Sequence, residues 1–204
     1  MDAVNDSDVI VPRTDLVRMR LASAISIKQQ IAAGGCCDLV VDIAQAMITA
    51  LRSGNKIMFF GNGGSAQDAG HLAAELMGRF AFDRPGLSAM SLPDATAAMT
   101  AIGNDYSYAE VYARQVVAAG RPGDVAVGLT TSGNSENVVR ALEAAAQIGM
   151  MTVAMTGEGG GKAAVAAEMP LQVPTTDTAQ AQEACMHLGH TICEMVEAAL
   201  FPRP

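Results

Sequence analysis

The chain has 204 residues, half of them hydrophobic, and a formal net charge of −8. That length and apolar content fit one well-packed domain better than two. The acidic balance and the lack of Trp exclude general nucleic-acid affinity and a base-stacking platform, which need a basic surface and exposed aromatic rings.

Residues 1–13 read as a flexible arm ending near Pro12. The polar, acidic start lacks a basic segment followed by an apolar core, so no secretory signal is expected. Thr14 and Asp15 can cap a first helix with apolar positions at Leu16, Met19, Ile27 and Ile31. Val17, Leu21 and Ile25 widen that stripe beyond one face, which predicts packing against another subunit as well as the sheet. Gly34-Gly35 breaks this helix, and a second is expected from about Asp38 to Leu51, ended by Gly54-Asn55. Strand-like runs then alternate with helical patterns. The strands are predicted near Ile57–Phe60, Leu87–Leu92, Val125–Leu129, Met151–Met155 and Leu171–Val173. The helices are predicted at Ser65–Arg79, Ala95–Ile102, Glu136–Ile148, Gly161–Ala167 and Ala179–Leu200. Such alternation predicts an α/β fold with a parallel sheet and right-handed crossovers. No apolar run reaches the roughly 18 residues of a membrane span. The cysteines (Cys36, Cys37, Cys185 and Cys193) form no Cys-x-x-Cys pair and read as reduced thiols of a cytoplasmic protein.

Two turns carry the chemical signal. Gly61-Asn62-Gly63-Gly64-Ser65 follows the first strand, and Thr130-Thr131-Ser132-Gly133-Asn134-Ser135 follows the third. Both are strand-to-helix turns rich in Gly, Ser and Asn. Such turns present backbone N–H groups, and the helix dipole, to an anionic ligand. In a parallel sheet, ligands bind outside the carboxyl ends of the strands, so the two turns can share one crevice. Downstream of the first turn, His71 and Glu75 lie one helical turn apart on one face. From the helix alone this could equally be a solvated i,i+4 pair. Ser135 could equally be a plain helix cap, Asn104-Asp105 an ordinary turn, and Arg79 and Arg84 surface charges. Asp68 reads as structural, and the 13 Met as core filling.

The ordered set Gly61-Asn62-Gly63-Gly64-Ser65, Asp68, His71, Glu75, Arg79, then Arg84-Pro85-Gly86, Gly103-Asn104-Asp105, Gly123-Asp124-Val125, Thr131 to Ser135, Thr156-Gly157 and Gln182-Glu183 through His190 resembles the sugar isomerase (SIS) domain family. Within it, the set resembles the phosphoheptose isomerase branch, over roughly residues 14–201. The resemblance implies a single SIS domain over residues 14–204. Its fold would be three-layered and flavodoxin-like, a five-stranded parallel sheet between helices, with N-terminal helices for oligomer packing. It also implies a homotetramer with active sites at subunit interfaces. The implied substrate is a phosphorylated heptose: sedoheptulose 7-phosphate would be isomerised through an enediol to D-glycero-D-manno-heptose 7-phosphate, feeding ADP- or GDP-heptose biosynthesis.

By the same resemblance, Glu75 and His190 are the acid/base pair, and His71, Glu75, Gln182 and His190 hold zinc. His187 does not match the ligand position. Asn62, Gly63, Gly64, Ser65, Asn104, Asp105, Thr130, Thr131, Ser132, Ser135 and Gln182 would contact substrate. Thr130 stands where the family often has Ser and keeps the hydroxyl. Ala179, Gln180 and Ala181 depart from the acidic or basic residue and isoleucine often found there, which bears on the pocket rim. Two alternatives are a non-catalytic SIS tetramer that binds a replication initiator and an isomerase of another phosphosugar.

Overall fold

A computed structural model of the chain describes residues 14–202. The expected arm, residues 1–13, and the last two residues of the expected domain lie outside the described residues. Two helices come first, α1 (Thr14–Ala33) and α2 (Cys36–Arg52), separated at Gly34-Gly35 as expected. The alternating part follows: β1 (Ile57–Gly61), α3 (Gly64–Met77), β2 (Ala89–Ser91), α4 (Thr96–Asp105), a 3-10 turn (Tyr108–Glu110), α5 (Ala113–Ala119), β3 (Val125–Thr130), α6 (Glu136–Ile148), β4 (Met151–Thr156), α7 (Gly161–Ala166), β5 (Met169–Gln172) and α8 (Thr178–Leu200).

All four strand pairings are parallel, and the sheet order is β2-β1-β3-β4-β5. The chain leaves β1 in one direction to reach β2, then returns to the other side of β1 with β3. The direction of winding therefore reverses between β1 and β3, which places the switch-point crevice at the two Gly/Ser/Asn turns.

Strand side chains alternate between two cores. Ile57, Phe59, Val125, Val127, Leu129, Val153 and Met155 face α2, α3 and α8, where Ile43, Met47, Leu72, Leu76, Ile192 and Val196 meet them. Met58, Phe60, Ala126 and Ala154 face the other way, onto Tyr112, Val116, Val138, Leu142 and Ala163 of the 3-10 turn region, α5, α6 and α7. Burial on both faces explains why the central strands read as continuous apolar runs. Gly128, in the middle of β3, leaves room for the Val138 and Leu142 side chains of α6.

Two strands differ from expectation. β2 is only Ala89–Ser91, and β5 begins at Met169, two residues earlier than predicted, with Pro170 inside it. Both are edge strands, where a missing ladder N–H is tolerated. Helix α5 was not predicted, because seven residues give too little periodicity. On α1, Ile27 and Ile31 are buried against the core, whereas Leu16, Val17, Met19, Leu21 and Ile25 are about half exposed or more in the single chain. Among the described residues, no single helix is long and apolar enough to cross a membrane.

At the amino ends of β1 and β3, the buried Asp124 carboxylate accepts from the Lys56 and Arg121 amides, at 2.9 and 2.8 Å, and from the Asn55 side chain at 3.1 Å. It also pairs with the Lys56 ammonium. Burial raises the pKa of Asp124, but these bonds outweigh it and hold the carboxyl below its usual value.

Candidate active site

Helix α3 starts at the first turn and carries His71 and Glu75 on one face as it runs back beside the sheet. His71 Nε2 lies 2.9 Å from Glu75 Oε1. From α8, running alongside α3, His190 brings its Nε2 to 3.3 Å from His71 Nε2. One ligand atom from each of these three residues lies within 4.8 Å of the others. The His71 and His190 rings meet edge-on with centroids 4.9 Å apart, and Phe80 packs 5.9 Å from His190 on the other side. The expected i,i+4 pair is thus part of a three-residue cluster built from two helices far apart in sequence.

The donor set fits a metal. Two imidazole nitrogens facing each other beside a carboxylate need a shared cation or proton between them. In a tetrahedral zinc site with bonds of ~2.05 Å, donor atoms stand ~3.3 Å apart, comparable to the 2.9 and 3.3 Å from His71 to Glu75 and to His190. His187, three residues before His190 on α8, instead borders an apolar groove with Cys37 and Val40.

Gln182, in the first turns of α8, lies against the start of α3, two turns before His71. Its side-chain amide packs against Gly64: a Cβ there would stand 2.6 Å from Oε1 and 2.7 Å from Nε2 and would displace the amide. It also hydrogen-bonds Asp68, one turn before His71. Burial raises the Asp68 pKa, partly offset by that bond and by the neighbouring histidines. Asp68 therefore joins α3 to α8, in keeping with a structural role.

The second turn gathers hydroxyls. Thr130 Oγ1 lies 3.0 Å from Ser135 Oγ and 3.4 Å from Ser132 Oγ. Ser135 occupies the N-cap position of α6 but makes no side-chain capping bond, so its hydroxyl serves the turn and not the helix. Ser132 Oγ accepts from the Asn134 amide at 3.2 Å. Gly133 has a φ of +67° and packs so closely on the Gly160 carbonyl that no Cβ fits. The loop before α7 thus braces the turn, with the Ala163 amide donating to the Gly133 carbonyl at 2.8 Å.

Some expected substrate contacts have protein partners. Asn62 exchanges two amide hydrogen bonds with buried Asn137 of α6, at 2.8 and 2.9 Å, and accepts from the Tyr108 hydroxyl at 2.9 Å. It couples the first turn to the second. Asn137, Tyr108 and Tyr112, whose hydroxyl donates to the Gly61 carbonyl, were not anticipated; the only sequence signal was an Asn in the first turn of α6. Asn104 and Asp105 end α4 and, among the described residues, bond to each other at 2.8 Å and not to either turn. Arg79 is exposed, as a surface charge should be. Arg84 corrects its expectation: its side chain is 1% exposed and pairs with Glu197 of α8 at 3.0 Å. Glu197 is buried, which raises its pKa, but the Ala81 and Phe80 amides and Arg84 outweigh this and hold it low.

Comparison with known proteins agrees with this construction. A sequence profile of the SIS domain matches residues 38–157. The phosphoheptose isomerase of Aquifex aeolicus (strain VF5) is 50% identical over 164 residues, covering 80% of this chain and 86% of that protein. The solved structure of a phosphoheptose isomerase from Francisella tularensis superposes with a TM-score of 0.87 at 31% identity, over 92% of this chain and all of that one. One from Neisseria gonorrhoeae gives 0.85 at 40% identity, over 90% and 98%. With a matching profile over more than half its length and relatives of this identity and coverage, the chain belongs to the SIS domain family, in its phosphoheptose isomerase branch.

Proposed function

We propose that this chain is an aldose–ketose isomerase that converts sedoheptulose 7-phosphate to D-glycero-D-manno-heptose 7-phosphate. The observation that carries the reading is the cluster of Glu75, His71 and His190 on α3 and α8, in a chain that also presents a hydroxyl-rich turn at the switch point between β1 and β3. The Thr130–Ser135 turn binds the substrate phosphate through hydroxyls and amides at the start of α6. That anchorage orients the far end of the sugar, so that C1 and C2 face Glu75 and His190.

The chemistry moves protons only. One of the pair removes a proton from C1 while the C2 oxygen gains one, giving a 1,2-enediol. Return of a proton to C2, with loss of the O1 proton, leaves an aldehyde at C1 and no net change in atoms. A zinc ion held by His71, Glu75, His190 and Gln182 would polarise the sugar carbonyl and stabilise negative charge on its oxygen. Glu75 and Gln182 would then each serve both substrate and metal. The exposed apolar residues of α1 support a homotetramer, with active sites completed at subunit interfaces. The four unpaired thiols support a cytoplasmic location. The presence of Glu75, Gln182 and His190 together favours the enzyme over a replication-initiator-binding tetramer, and the relatives favour a heptose over another phosphosugar.

Incubation with sedoheptulose 7-phosphate, with and without added zinc, and NMR detection of the aldoheptose phosphate tests the reading. Appearance of the manno-configured product is expected. No product in either condition from a folded protein that binds the sugar phosphate would overturn it.

A further inference from the structure

The ion pair between Arg84 and Glu197 lies outside the reacting groups, yet it touches both helices that carry them. The Arg84 guanidinium donates to the carbonyls at the end of α3: Glu75 at 2.8 Å, Leu76 at 2.6 Å and Gly78 at 3.0 Å. Such carbonyls have no partner within the helix, and a cation there also suits the negative end of the helix dipole. One of them belongs to Glu75 itself. Across the pair, the Glu197 carboxylate accepts from the Phe80 and Ala81 amides at 2.8 and 2.7 Å. Glu197 stands about two turns beyond His190 on α8, and the Phe80 backbone it holds carries the ring packed on His190. Both side chains are 1% exposed.

We propose that Arg84 and Glu197 are positioning residues, which fix the backbone of Glu75 relative to His190 and so set the spacing of the cluster for metal binding and proton transfer. The proposal rests on the isomerase reading of that cluster. Its physical logic is that of an outer support: the pair touches neither substrate nor metal, but the groups that do are held through it, and loss of such supports commonly costs about 10–100-fold in metal affinity or activity.

Removing one partner strands a buried charge and endangers the fold. The test therefore uses the double variant Arg84→Met/Glu197→Met, which removes both charges at similar volume, and Arg84→Lys, which keeps the charge but not the fork that spans several carbonyls. Asp124→Asn, which breaks a buried pair whose partners Asn55, Lys56 and Arg121 lie on neither α3 nor α8, serves as the control. Cobalt(II) binding is followed by its visible absorption, and kcat and KM are measured on sedoheptulose 7-phosphate. The double variant should lose about 10–100-fold in cobalt affinity and in kcat, with KM within about three-fold. Arg84→Lys should show smaller losses of the same kind, and the control neither. Wild-type cobalt affinity and kcat in a folded variant of either kind would overturn the proposal, as would equal losses in the control. If the wild-type protein bound cobalt but failed to turn over the sugar, the isomerase reading would fall while the cobalt arm still judged the positioning.

Discussion

At the amino ends of β1 and β3, four donors close on one carboxylate, Asp124. From the carboxyl ends of the same two strands, and along α3 and α8 as they run back beside the sheet, polar groups gather just as densely but stay more open to solvent. The side chain of His71 is half exposed although it meets both Glu75 and His190. The hydroxyls of Thr130, Ser132 and Ser135 point at one another and not into helix caps. Buried polar groups normally find partners within the protein, and the amino end obeys that rule to completion. In the other region His71 and Ser132 stay exposed. The same two strands thus lead from a closed structural joint at one end to an exposed polar region beyond the other, and the exposed region is where the proposed chemistry belongs.

Substitutions at the two ends should therefore fail in different ways. The largest effect is expected for His190→Gln. Turnover should fall by about three orders of magnitude or more, within the range for loss of a general acid/base, while the thermal midpoint stays near wild type. Steady-state kinetics with a melting curve checks both halves of the statement.

Asp124→Asn should do the reverse. It should cost about 3 kcal/mol of stability at neutral pH by stranding the Lys56 charge, with kcat unchanged per folded molecule. Its pH dependence has a definite sign. The Asp124 carboxyl is held below its ordinary value of 3.8 in the folded state. Its contribution to stability is thus complete above that ordinary value and is lost as pH falls through the folded value. Urea unfolding of wild type and variant should differ most near neutral pH and converge in acid.

Ser132→Ala and Ser135→Ala are smaller tests of the open end. Each removes one hydroxyl donor to a charged phosphate, worth about 1.5–3 kcal/mol. A rise in KM of about 10–100-fold with a smaller change in kcat is expected from initial-rate kinetics. An unchanged KM in both would reduce the turn to a helix start. The smallest effect concerns the walls. The Cys185 and Cys193 thiols are pushed up to about 12, chiefly by burial. A thiol reagent at pH 8 should leave both unmodified until denaturant is added, as mass spectrometry of the labelled chain would show.

How far each end was legible in the sequence follows from how its contacts are made. Alternating apolar runs and Gly-rich turns are local signals, so the parallel α/β order, the break at Gly34-Gly35 and the two strand-end turns were all readable. Helix periodicity placed His71 beside Glu75, and the family pattern supplied His190 and Gln182. Partners that depend on distant residues were not readable. Arg84 looked like a surface charge because Glu197, which neutralises it, lies far along the chain on α8. The reciprocal pairing of Asn62 with Asn137 was hidden because Asn137 belongs to another helix. Tyr108 sits on a 3-10 turn too short to leave a periodic trace.

The most direct test of an open, chemical end is isomerisation of sedoheptulose 7-phosphate in deuterium oxide by the wild-type protein and by Glu75→Gln, compared at equal folded concentration. The account predicts that the wild type yields the aldoheptose phosphate with solvent deuterium at C2, and that Glu75→Gln, equally folded, yields almost none. Near-normal turnover by Glu75→Gln would contradict it.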